Sequence, residues 1–149
     1  MAIVERKAVG FGIAGIVLGI IVAILPYYLL PVCGMADPPK MLETARGMFV
    51  PMKCSYMAGA EVALGSMIAL VGAVLIVTRT SDAKRWVSFV GIILGIFVIL
   101  VPWYLIGACM TPTMPCVVGT RPGLTVMGVL VIIVNVVGMW MLGKEKKEV

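Results

Sequence analysis

Residues 18–33 read LGIIVAILPYYLLPVC, and residues 94–109 read LGIFVILVPWYLIGAC. The offset is 76 throughout without a gap, and eight of the sixteen positions are identical: Leu18/Leu94, Gly19/Gly95, Ile20/Ile96, Val22/Val98, Pro26/Pro102, Tyr28/Tyr104, Leu29/Leu105 and Cys33/Cys109. Apolar composition alone produces some coincidences, but not an aligned Pro, Tyr and Cys. A second element also recurs, since Met52-Lys53-Cys54 precedes one apolar run and Met114-Pro115-Cys116 precedes another. Each half therefore reads as apolar helix, Pro kink, Cys, loop, Met-x-Cys, apolar helix. Two spans per half give both halves the same orientation, which predicts a pseudo-two-fold axis along the membrane normal.

The rest of the chain fits that reading. It has 149 residues, 62% hydrophobic and 13% charged, against roughly 45–50% and about 25% in an ordinary soluble domain. Four runs are long enough to cross a bilayer as helices: about 8–30, 56–78, 86–106 and 123–142. Backbone groups in lipid must be satisfied within each segment, so helices are required. The expected fold is all-α, a four-helix integral membrane bundle built by tandem duplication of a two-span hairpin. It is one transmembrane domain over 1–149, with outer loops at about 31–55 and 107–122. A soluble monomer and a nucleic-acid-binding module are excluded despite the +5 charge. The absence of His removes Ser/His/Asp triads, His-ligated haem and His-based zinc sites.

Charge predicts orientation. Arg6, Lys7, Arg79, Lys84, Arg85, Lys144, Lys146 and Lys147 lie on one side, and Lys40, Arg46, Lys53 and Arg121 on the other. The excess places both termini in the cytoplasm and the cysteine loops outside the cell (inner or plasma) membrane. The first apolar run is too long for a signal peptide and lacks a small-residue cleavage site, so it reads as a retained span. Gly15 and Gly19, with Gly91 and Gly95, are small residues four apart on one face, which predicts a central contact between the first and third spans.

All four cysteines fall in the outer loops, which suits an oxidising compartment and disulfides. The repeat selects one pairing of the three possible, Cys33 with Cys54 and Cys109 with Cys116. Each bond would contribute roughly 2–4 kcal/mol by loop closure. In the first outer loop, Asp37 as N-cap, Pro38 as first helical residue and Gly47 as terminator predict a short surface helix carrying Met41, Leu42 and Ala45 on one face.

Candidate chemistry is sparse. Seven of twelve methionines lie on the outer side (Met35, Met41, Met48, Met52, Met57, Met110 and Met114). Thioethers and thiolates suit Cu(I), whereas Met also fills irregular gaps in a core. Membrane thiol–disulfide oxidoreductases that pass electrons to quinone also have four spans and outer cysteines, but they use a vicinal reactive pair, usually CxxC, and this chain has none. Glu61 is the only acidic residue inside a span, about a turn and a half into the second. It reads either as an ion- or proton-binding carboxylate or as an interfacial group paired with Lys53 or Arg121 or reaching water. Asn135 reads as interhelical glue.

Pro-x-Tyr ending a span and followed by Cys, Met52-Lys53-Cys54 with Ala60-Glu61, and Cys109…Met114-Pro115-Cys116 with Thr120 and Pro122 resemble a small prokaryotic family of four-span proteins, a domain of unknown function. Its members often carry His-Trp-Thr after the first Met-x-Cys, where this chain has Ser55-Tyr56-Met57. The resemblance implies an accessory subunit accompanying ABC-type permeases of the export or lipoprotein-release kind. The resulting expectation is a non-enzymatic subunit, without cofactor, that packs against a larger integral partner or a copy of itself. An outer-face thiol redox or copper protein and a small self-assembling channel with Glu61 at its mouth stand as alternatives.

Overall fold

In the computed structural model the described residues are 2–30, 32, 41–43, 45, 47–51, 53–107, 113, 114 and 116–144. The helices are α1 (Ala2–Ile24), α2 (Lys53–Val77), α3 (Ser81–Leu100) and α4 (Arg121–Lys144). A π-helical turn extends α1 over Leu25–Leu29, another extends α3 over Val101–Leu105, and a third precedes α4 over Cys116–Thr120. Four apolar segments of 23 to 26 residues result, each long enough to span a bilayer, and the chain is a multi-pass membrane protein.

The two prolines account for the wide turns that end α1 and α3. Pro26 and Pro102 have no N–H to give the preceding turn, and the ring crowds it. The chain relaxes by widening to i→i+5 bonds, Leu30 N–H to Leu25 O at 2.9 Å and Ile106 N–H to Val101 O at 3.1 Å, which are 76 residues apart in both partners. The second turn ends at Gly107, whose φ of 75° lies in the left-handed region that glycine enters without strain.

Each helix turns small or polar residues inward. Gly12, Gly15 and Gly19 of α1 are buried, as are Ala58, Gly65 and Gly72 of α2, Gly91 and Gly95 of α3, and Gly128 and Gly138 of α4. Branched residues such as Ile13, Val17, Ile20, Leu70, Val74 and Ile133 face outward. This is the arrangement lipid favours. The tails are as apolar as the core, so association rests on close backbone packing.

That packing falls within hairpins, which corrects the expected contact between first and third spans. A Cβ at Gly15 would meet the backbone of Gly72, and one at Gly19 the backbone of Ala69 and Gly65, both on α2. Gly91 abuts Asn135, and Gly95 abuts Ile132, Val131 and Gly128, all on α4. Helix α1 thus packs on α2 and more lightly on α4, and α3 packs on α4 and more lightly on α2. Helices α1 and α3 lie across the diagonal. The glycine stripes hold each hairpin together and do not join the halves.

The first connecting loop also departs from expectation. Instead of a surface helix, Met41–Glu43 (β1) and Phe49–Pro51 (β2) form a short antiparallel ribbon, with Leu42 opposite Val50. Gly47, at φ 74°, lies in the loop between them. An isolated helix this short is marginal, and Phe49 and Val50 favour extended backbone. Asp37 and Pro38 lie outside the described residues.

Candidate functional site at the loop end of the bundle

The loop end, opposite the chain termini, holds the main buried cluster. Val22, Leu25, Val32, Cys54, Met57, Ala58, Val98, Val101, Cys116 and Leu124 pack together there. Helix α2 contributes Cys54, Met57, Ala58 and Glu61, all fully enclosed, because the spacing 54, 57/58, 61 keeps one face inward.

Cys54 and Cys116 meet. Their Sγ atoms are 3.3 Å apart, and neither side chain reaches the surface. The two Met-x-Cys elements, 62 residues apart in sequence, therefore present their cysteines to each other across the hairpins. The expected partners Cys33 and Cys109 lie outside the described residues, as do Met35, Met52 and Met110. Among the outer methionines, Met57 is part of the core, Met114 packs against it, and Met48 is exposed. Among the described residues no three His, Cys, Asp or Glu side chains group as a metal site.

Glu61 is enclosed within the bundle. Helix α2 begins at Lys53, so the carboxyl group sits eight residues along it, roughly 12 Å down the axis at 1.5 Å per residue. It has no exposure, and neither carboxyl oxygen has a hydrogen-bond partner among the described residues. Of the two readings of Glu61, the pairing with Lys53 or Arg121 finds no contact among the described residues. Lys53 is exposed, and the Arg121 guanidinium lies over the Trp103 ring, 3.6 Å from its centroid. Trp103 Nε1–H in turn donates to Thr125 Oγ1 at 3.0 Å, whose hydroxyl donates to Arg121 O at 2.9 Å. Arg121 thereby stacks on an aromatic partner in the π-helical turn that extends α3.

Thr120 carries a contact that no motif announced. Its buried hydroxyl donates to the carbonyl of Leu30 at 2.9 Å, one of the acceptors left open where the first span ends. The hydrogen bond crosses between halves and seats Leu30 over Gly119 and Gly123. Thr120 and Pro122 opened the last span in the sequence reading, but only the long-range partner gives the hydroxyl its role.

At the opposite end Lys84 and Ser88 of α3 are buried, which the apolar pattern did not signal. Asn135, expected as interhelical glue, donates instead to its own helix at Val131 O, 2.8 Å, while its side chain rests on Gly91.

The model of one protein family, described as a domain of unknown function (DUF4418), matches residues 15–141. Comparison with curated proteins and with solved structures gives no match.

Proposed function

We propose that this chain, which belongs to that family of unknown function (DUF4418), is a non-enzymatic integral membrane subunit that packs against a larger membrane partner, a transporter or permease. The observation that carries the reading is a groove of about 530 Å³ on the lipid-facing side of α1 and α2, lined by Gly19, Ala23, Gly65, Ser66, Ala69 and Ala73 between flanking Ile20 and Leu70. A channel floored by small residues and walled by large ones admits a ridge of side chains from another transmembrane helix. The termini and the turn between α2 and α3 face the cytoplasm in this reading, as the distribution of Lys and Arg favours. Photo-crosslinkers placed at Leu70 and, as a control on the far side, at Ile133 test it in native membranes. Adducts from Leu70 to one integral membrane protein, with none from Ile133, are expected. Adducts to lipid alone from both positions would sink the subunit reading.

Membranes alkylated before solubilisation, then mapped without reduction, test the outer loops of this reading. Complete Cys33–Cys54 and Cys109–Cys116 pairing is expected for a subunit with two structural disulfides, and peptides joining Cys54 to Cys116 would overturn that pairing.

A further inference from the structure

We propose that the terminal end of the bundle holds a site for one phosphate group, supplied by an anionic lipid headgroup. A cavity of about 320 Å³ opens there between the start of α1 and the turn joining α2 to α3, lined by Ala8, Val9, Ile76, Thr78, Arg79 and Lys84. Lys84 is 5% exposed and lines this cavity, with its backbone N–H donating to Thr80 O at 3.1 Å. A lysine whose stem is packed among the helices brings its charge to the cavity that it lines, and basic residues in such positions of membrane proteins mark binding sites by default.

The surroundings suit an anion. Arg79 stands exposed at the rim and adds a second positive charge. Thr80 is the N-cap of the 20-residue α3 but makes no side-chain cap bond, so the first-turn N–H groups of α3 are not closed off by it. The nearest acidic side chain in sequence, Asp82, lines a different cavity with Arg85 and Trp86. Trp86, 70% exposed, lies where aromatic rings mark the headgroup level, so the cavity opens into the layer where phospholipid phosphates lie. A basic pocket between spans at this depth fits a headgroup.

Native mass spectrometry of the full chain reads the site, with phosphatidylglycerol, phosphatidylcholine and inorganic phosphate as probes. A charge near the membrane surface is worth about 1 kcal/mol, or about fivefold in affinity. Lys84→Met, which keeps length and removes charge, is expected to lower phosphatidylglycerol retention about fivefold by that reckoning, and Lys84→Arg to keep it. Lys53→Met, at the exposed start of α2 on the opposite end, should change nothing. Should Lys84→Met not fold, Arg79→Gln at the rim reads the same site, with the same direction of change. Retention unaltered by Lys84→Met or Arg79→Gln, or lowered equally by Lys53→Met, overturns the site. Displacement of the lipid by inorganic phosphate would keep the anion site but overturn the lipid as its source, whereas resistance to phosphate sustains the lipid.

Discussion

Gly65→Leu is expected to separate α1 from α2 and cost about 3 kcal/mol or more of bundle stability, the upper range for overpacking. A Cβ at Gly65 would lie 2.6 Å from Gly19 O and 2.7 Å from Ala23 N. Both are backbone atoms, so no rotamer change makes room, and the two helices must move apart along their whole seam. Gly59→Leu on the same helix is the matched control, because nothing lies within 4 Å of a Cβ there. Unfolding of the two variants in lipid, followed by steric trapping or by denaturant, should differ by the full amount. Equal stability of Gly65→Leu and Gly59→Leu would show that the seam between α1 and α2 is not the one described.

Glu61→Leu is expected to act in the other direction and raise stability by about 1–3 kcal/mol, the cost of a buried polar group left without a partner. The carboxyl group has neither exposure nor a hydrogen bond among the described residues, while Leu is apolar and of similar size. Glu61→Gln keeps a polar group and should gain less. The same unfolding measurement decides. A loss of stability in Glu61→Leu would mean that the carboxyl group has a partner in the folded chain. A gain would identify Glu61 as a group retained at the expense of stability, which is what a functional intramembrane carboxylate requires. Crosslinking from Leu70 in the Glu61→Leu background would then ask whether the retained group serves the proposed partner interface.

One feature was legible before the fold. The aligned Pro26 and Pro102 announced interruptions at the ends of two spans, because a missing N–H disturbs a helix wherever it occurs. The meeting of Cys54 and Cys116 was not legible, because the matching Met-x-Cys elements pointed to pairing within each half and nothing local says that these two cysteines approach each other. The full enclosure of Glu61 was not legible, because apolar patterning does not say which face of the second span turns inward. The surface helix at 37–47 failed for another reason, since capping residues mark where a helix would begin but not whether so short a one outlasts a competing ribbon.

The sequence by itself determined that this protein is all-α, crosses the bilayer four times and breaks two spans at proline. A hydrocarbon solvent leaves backbone hydrogen bonds no other outlet, so length and apolarity suffice. Which face of each span turns inward was decided only by the tertiary structure. In water the buried side of a helix is the apolar one and can be read from periodicity. In a bilayer both sides are apolar, and the difference lies in size and in rare polar atoms. Gly19 against Gly65, Cys54 against Cys116, Arg121 on Trp103 and Lys84 in its cavity are therefore outcomes of packing, because no single helix carries the information that selects its neighbour.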